Sequence, residues 1–199
     1  MKTIKTFLGI LLTFICLSTI AQSRKCATMH NFENRIAKDP LTLQRMQQSE
    51  VLTQNWIATH SQTNKTQQII TIPVVVHVLY HTNVENISDA QIVSQMDVLN
   101  EDFRLLNADS LLDNHPFYNV TADAQIEFCL ANEDPNGNST TGITRTYTDS
   151  SMFFGMGNEK FSSTGGIDNW DPTKYLNIWV CNLDPSVGLL GYATFPSDL

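Results

Sequence analysis

The sequence predicts an α/β (α+β) domain in which one amphipathic helix backs a twisted mixed sheet. The first observation is a nearly continuous run of β-branched and apolar residues over 69–80. Such a run is typical of a strand buried on both faces. The second observation is a helical pattern behind a capping motif, and the third is a series of short apolar stretches between turn signals. A strand, a helix and several further strands favour one layered core.

The helix begins at Ser88, where residues 88–91 have the residue types of a capping box. Apolar residues then recur at helical spacing, so we expect one face of the helix to pack against the sheet. We interpret this stripe as core rather than as a binding surface. It consists of Ile92, Met96, Leu99 and Phe103.

The later strands are shorter. Residues 124–131 alternate in polarity, with Ile126, Phe128 and Leu130 on one face, and a strong turn signal follows at 134–137. Between the later strands, residues 153–171 contain four glycines and predict a long irregular loop. Three further strands are predicted over residues 142–147, 175–181 and 188–196.

Two segments precede this domain, which takes residues 69–199. Residues 1–21 have a basic start, a short apolar run and small residues near Ala21, which indicate a cleaved secretory signal. Residues 22–68 are polar, with a partial helical stripe from 41 to 56 and a linker-like stretch over 59–66. We interpret them as a helical pro-segment joined by a flexible, cleavable linker. An ordinary N-terminal extension is the alternative.

Charge and cysteine content limit the class of protein. The chain carries 12 basic and 20 acidic residues, a net charge of −8 that becomes −10 once the two lysines of the signal are removed. An acidic exported chain repels phosphate backbones, so we expect no nucleic-acid partner. No later segment is apolar enough to span a bilayer, so we expect a secreted protein without membrane contact after signal removal. Beyond the signal remain three cysteines, an odd number that indicates a free thiol or a partner elsewhere: Cys26, Cys129 and Cys181.

Histidine spacing does not predict a zinc site in this sequence. His77 and His81 have the spacing of a helical ligand pair, but they lie in a predicted strand, where four residues span about 13 Å. Two nitrogens that far apart do not share one zinc ion. We therefore expect His77 to be a hydrogen-bonded strand residue, and we expect His30, His60 and His115 to be surface residues.

Two other segments have the composition of metal ligands. Residues 134–138 are rich in oxygen ligands but lack the downstream glutamate of an EF-hand loop, so calcium is kept only as a candidate cofactor. Cys26 follows Arg24 and Lys25, whose charges favour the thiolate. A leader thiolate can occupy the open position of a catalytic zinc and keep an enzyme latent. An incidental or oxidised thiol is the alternative.

A series of short blocks, weak singly, carries a family resemblance when taken in order. The blocks are residues 72–78, 87–92, 98–104, 124–130, 142–145, 164–166, 175–181 and 190–193. They resemble the opening of the pappalysin-type metalloproteases, a metzincin-related family of secreted zinc enzymes. Residues 24–28 also resemble the leader cysteine motif of that family, with Ala27 where glycine is usual.

The resemblance implies a zincin-like upper subdomain, with a sheet and its backing helix above a cleft. In such folds the edge strand binds an extended protein or peptide substrate by strand addition. We assign Leu190, Gly191, Tyr192 and Ala193 to that edge; an ordinary edge strand facing water is the alternative. The resemblance further implies zinc as cofactor, with Cys26 as the leader ligand.

The zinc-binding motif of the family, His-Glu-x-x-His-x-x-Gly-x-x-His, does not occur in the sequence. We therefore expect the chain to be the N-terminal part of a latent secreted zinc endopeptidase. No catalytic residue is assigned, and we expect this polypeptide to be inactive and to fold poorly alone. The rival hypothesis is a non-catalytic exported module that binds a peptide or glycan through the sheet edge or the 153–171 loop.

Overall fold

The computed structural model describes residues 28–60 and 68–194. The predicted signal and Cys26 lie outside these residues, as does most of the predicted linker. Four short 3-10 turns also occur, at Tyr118–Val120, Asn158–Lys160, Ser162–Thr164 and Pro185–Val187. The helices are α1 (Thr28–Lys38), α2 (Leu41–His60) and α3 (Asp89–Phe103), and the strands are β1 (Ile70–Tyr80), β2 (Ile126–Leu130), β3 (Ile143–Tyr147) and β4 (Leu176–Val180).

Strand β1 is the centre of the sheet, as its continuous apolar run predicts. Residues 74–79 are buried on both faces of the strand. β2 pairs with the first half of β1 and β3 with its second half, both in parallel. β4 pairs in parallel with residues 74–78 of β1, which already have β2 and β3 beside them, so β4 lies along the opposite edge. The α/β class is confirmed, and all three strand pairings are parallel.

A glycine allows β2 and β3 to follow one another along the same edge of β1. Where β2 ends, the Ala131 N–H donates to the Val74 carbonyl at 2.8 Å, and the Val76 N–H donates to the Gly142 carbonyl at 2.8 Å. Gly142 has a φ of +72°, and a Cβ there would lie 2.6 Å from the Ala131 nitrogen. Only glycine accepts both the positive φ and this close approach.

Helix α3 covers one face of the sheet and forms the core there. Its predicted capping box is present, with the Ser88 side chain accepting from the Gln91 N–H. Ile92 and Met96 are buried against alternate residues of β1, and Phe103 meets the Phe128 ring edge-on at 4.9 Å. The predicted apolar stripe is therefore confirmed as core.

The same helix also protects the outer edge of β2. The Asn100 side chain accepts from the Phe128 N–H at 2.7 Å and donates to the Phe128 carbonyl at 3.0 Å. This side-chain amide takes the place of a neighbouring strand residue. Such a contact satisfies backbone groups that would otherwise attract another chain.

The loop over residues 148–171 covers the second face of the sheet, opposite α3. Its Phe153 is buried, and the backbone of that residue bonds to residues 182 and 184, just beyond β4. The Trp179 indole on β4 donates to the Ile167 carbonyl at 3.0 Å. The segment predicted as an irregular loop is therefore well anchored, although it contains only short 3-10 turns.

The leader forms two helices where the sequence predicted one partial stripe. α1 and α2 meet at Asp39, whose carboxylate accepts from the Leu41 N–H at 3.0 Å and from Arg45 at 2.5 Å. α2 leaves its large apolar side chains exposed, including Leu52 and Trp56. No helix within the described ranges has the length and apolarity needed to cross a bilayer.

Candidate functional site

The free edge of β4 is the candidate site. One edge of this strand pairs with β1, and within residues 28–60 and 68–194 no strand pairs with the other. A cavity of about 500 Å³ lies along it, lined by residues 176–181 on one side and 190–194 on the other. An unpaired strand edge presents a row of N–H and C=O groups that an extended chain can use.

The prediction of a strand over residues 188–196 is wrong for its described part. Residues 188–194 belong to no strand, and the cavity separates residues 190–194 from β4. The physical reason lies at the start of the segment, where Gly188 closes a 3-10 turn with a φ of 66°. Leu190, Gly191 and Ala193 are exposed, and Tyr192 is half-buried. All four predicted edge residues nevertheless lie beside the free edge of β4.

A buried histidine holds β4 from behind. The His77 side chain is 0% exposed, and its Nε2 lies 3.0 Å from Asn177 Oδ1 on β4. That oxygen also accepts the Trp170 backbone N–H at 2.7 Å, so it faces His77 as an acceptor. His77 Nε2 therefore carries the proton, and Nδ1 accepts from the Thr144 hydroxyl at 2.7 Å. The expectation of a hydrogen-bonded strand histidine is confirmed.

Burial sets the protonation of this histidine. Desolvation lowers the pKa of His77, and the hydrogen bond from Asn177 opposes the shift only in part. The ring stacks at a tilt against Trp179, at 5.3 Å between centroids, and meets Trp170 edge-on at 6.1 Å. A neutral imidazole among these rings fixes the position of Asn177 and hence of β4.

Three polar groups line the cavity beside β4. Glu159 is 2% exposed and accepts the Tyr192 hydroxyl, and burial raises the pKa of its carboxyl. Burial lowers the pKa of the neighbouring Lys160 ammonium. Burial, with a smaller contribution from the charge of Glu159, raises the pKa of the Cys181 thiol to about 12. Cys181 is therefore a protonated thiol near neutral pH and a poor metal ligand.

Sequence reasoning missed Glu159 and Lys160. Both lie in the 153–171 segment, which has no periodicity, and their partner Tyr192 is 33 residues from Glu159. The available signal was a charged pair inside a stretch otherwise rich in glycine and aromatic residues.

The leader lies close to the same edge. A larger groove of about 1190 Å³ is lined by α1 and by the domain together. Its domain side includes Tyr175, Trp179 and Tyr192, and its leader side includes Asn31 and Lys38. The pro-segment helix and the free edge of β4 thus share one continuous surface.

The described residues do not form a zinc site. No group of three or more His, Cys, Asp or Glu side chains within them is arranged to hold a metal ion. His77 uses both ring nitrogens in hydrogen bonds, and His81 Nδ1 lies 3.0 Å from the Thr148 carbonyl. His60 and His115 are exposed, as predicted. Cys26 lies outside the described residues.

The two other metal and disulfide candidates are also placed. The Asp134 carboxylate accepts the backbone N–H groups of Asn136 and Asn138 at 2.8 and 2.9 Å, so it closes a turn, and calcium binding there gains no support. Cys129 pairs with Pro73 on one edge of β1, whereas Cys181 follows β4 on the other. Six residues along the strands and two strand spacings separate them by roughly 20 Å. A disulfide needs Cα atoms less than about 7 Å apart, so these two cysteines do not bridge.

Comparison with known proteins places the chain beside mirolysin, a secreted zinc metalloprotease of the metzincin type. A structure of mirolysin in complex with compound 9 is 56% identical, with a TM-score of 0.60, over 65% of this chain and 47% of that chain. Mature Tannerella forsythia mirolysin in complex with a cleaved peptide is also 56% identical, with a TM-score of 0.56, over 59% and 44%. A Tannerella forsythia promirolysin mutant is 46% identical, with a TM-score of 0.61, over 78% and 48%.

These likenesses have clear bounds. The chain spans less than half the length of each of the three chains it matches. No protein-family model and no curated protein matches it. The fold of the described residues is therefore that of promirolysin-like proteins, and the chain resembles a metalloprotease precursor.

Proposed function

We propose that this chain forms the pro-segment and the substrate-side part of the catalytic domain of a secreted, pappalysin-type zinc endopeptidase. The observation that carries the proposal is the extent of the promirolysin match. It covers 78% of this chain, whereas residues 69–199 make up only about 66% of it, so part of the match lies before residue 69. A likeness that reaches into the leader supports a latent precursor.

The role of the chain is to bind and align the substrate. The free edge of β4, with Leu190, Gly191, Tyr192 and Ala193 beside it, holds an extended peptide through backbone hydrogen bonds. Mature mirolysin, which is 56% identical, was obtained in complex with a cleaved peptide, and this supports a peptide as the ligand. His77 and Asn177 keep the edge in place from behind.

Zinc would supply the water-activating chemistry in the whole protein, and its ligands would come from outside the described residues. We assign Cys26 as the leader residue that masks the metal before activation. The described residues hold no part of that site, so this polypeptide alone hydrolyses nothing. Calcium has no support in the described structure.

The first test is to sequence the gene beyond codon 199. A reading frame that continues into the three-histidine zinc helix supports the proposal. A stop codon at that point, together with a soluble, peptide-binding monomer, would favour the non-catalytic binding module instead, for which the metal-free peptide edge is the favouring observation.

The second test addresses the leader. A specific protease site is placed within residues 61–67, and the affinity for a labelled extended peptide is measured before and after cleavage and removal of the leader. Because α1 lines the same groove as Tyr192 and Trp179, we expect removal to strengthen peptide binding. Equal affinity in both forms contradicts a latency role for residues 22–68. Hydrolysis of the peptide by the 199-residue chain contradicts the assignment of an inactive part.

A further inference from the structure

The segment beside the free edge is attached to the domain mainly through one side chain. Leu190 is 78% exposed, and a Cβ added at Gly191 would meet nothing within 4 Å. Ala193 is exposed as well, whereas Tyr192 between them is half-buried. The position of Tyr192 therefore decides where residues 190–193 lie relative to β4.

Three residues of the 153–171 loop surround Tyr192. The Glu159 carboxylate accepts its hydroxyl, and the Lys160 ammonium lies 4.8 Å from the centre of its ring. The same ammonium lies 5.3 Å from the centre of the Trp179 ring on β4, so it bridges the segment and the strand. At the ring edge, a Cβ on Gly155 would lie 3.7 Å from Tyr192 and 2.7 Å from Leu189.

The loop that carries Glu159 is itself held rigidly. A Cβ on Gly166 would lie 2.2 Å from the Glu159 carbonyl, so only glycine fits against this turn. That carbonyl accepts from the Ile167 N–H at 3.1 Å, and the Ile167 carbonyl accepts from the Trp179 indole at 3.0 Å. Glu159 is thus tied to β4 through two successive hydrogen bonds.

Stability alone does not explain a carboxylate at this position. Glu159 Oε2 is buried without a hydrogen-bond partner among the described residues, and an unsatisfied buried oxygen destabilises a fold. Buried polar groups that are only partly satisfied concentrate at functional positions. Glu159 also lines the cavity along β4, so its retention fits a role at that edge.

We propose that Glu159 and Lys160 are positioning residues that clamp Tyr192 and so set the width of the slot between β4 and residues 190–193. The slot receives an extended peptide, and this part of the inference rests on the proposed function. The clamp itself is a property of the fold and can be tested without a ligand.

The ligand-free test is hydrogen exchange of the amides of residues 189–194 in the full chain. In Glu159→Ala and Tyr192→Phe we expect these amides to exchange about tenfold faster, the change that loss of one charge-assisted hydrogen bond produces. Glu159→Gln keeps an acceptor for the Tyr192 hydroxyl, so we expect the wild-type rate. Glu101→Ala removes an exposed carboxylate from α3 on the opposite face of the sheet and serves as the matched control. Unchanged β1 amides show that each variant is folded.

The second readout is the affinity for a fluorescein-labelled decapeptide of alternating valine and threonine. We expect Glu159→Ala to weaken binding about tenfold and Glu159→Gln to restore it, while Glu101→Ala has no effect. Wild-type exchange rates in both Glu159→Ala and Tyr192→Phe overturn the clamp, and so does a Gln variant that exchanges as fast as the Ala variant. If the wild-type chain binds no peptide while the exchange pattern is as expected, the clamp stands and the proposed function fails.

Discussion

The buried His77 makes the stability of the domain dependent on pH in a predictable direction. Its pKa is lowered in the folded protein, so below the ordinary value of 6.5 the unfolded chain binds a proton that the folded chain refuses. The stabilising effect of a neutral His77 is complete above pH 6.5 and is lost as the pH falls below it. If His77 stays neutral in the fold, the free energy of unfolding decreases by about 1.4 kcal/mol between pH 7.5 and pH 5.5, which is the upper limit for one group.

The assay is urea unfolding at a series of pH values between 7.5 and 5.5, followed by circular dichroism. The test variant is His77→Gln, whose amide can donate towards Asn177 and accept from Thr144. We expect this variant to be less stable at pH 7.5 by about 1–3 kcal/mol, because a buried ring is replaced by a side chain of different shape. We also expect it to lose most of the dependence on pH.

Comparison with the wild type isolates the contribution of His77. The carboxylates with lowered pKa, among them Asp123 and Asp134, and the raised Glu159 contribute equally to both proteins. His115→Gln removes an exposed imidazole and retains His77, so it should keep the wild-type slope. If His77→Gln and the wild type lose the same free energy on acidification, His77 does not remain neutral in the fold and the reasoning is refuted.

Three other predictions concern single contacts. Gly142→Ala should destabilise the domain by at least 2 kcal/mol in urea unfolding, because of the positive φ and the 2.6 Å approach to the backbone; a loss below 0.5 kcal/mol contradicts this. Asn100→Ala leaves the Phe128 N–H and carbonyl without their partner and should cost about 2–4 kcal/mol, whereas the exposed Gln95→Ala on the same helix should cost under 0.5 kcal/mol; equal losses contradict the edge-protecting role of Asn100. At pH 8, iodoacetamide should alkylate the exposed Cys129 well before Cys181, whose thiol pKa is about 12, and peptide mass spectrometry would detect the reverse order.

The sequence predicted those parts of the fold whose signal is local. The β1 run, the capping box at Ser88 and the apolar stripe of α3 each occupy consecutive residues, and each forms the predicted element. In contrast, Tyr192 meets Glu159 across 33 residues, and His77 meets Asn177 across 100. No periodicity encodes such pairs, so sequence reasoning placed the site at the right segment and missed the groups that hold it.

The predicted last strand shows the same limit from the other side. The pattern over residues 188–196 has the alternation of a strand, but strand formation requires a partner at the correct distance. In the described structure a cavity of about 500 Å³ lies between residues 190–194 and β4. A local pattern predicts the ability to pair, whereas the surroundings determine whether pairing occurs.

The block at residues 142–145 explains why an ordered series of weak matches identified the fold. Gly142 is required where β2 and β3 meet, and Thr144 bonds to the buried His77. Arg145 donates to the Ile87 carbonyl at 2.7 Å, just before α3 begins. Each residue type follows from one contact of the sheet, so the block indicates this backbone geometry and not a particular reaction. The likeness to mirolysin therefore supports the architecture directly, whereas proteolysis depends on a metal site that the described residues do not contain.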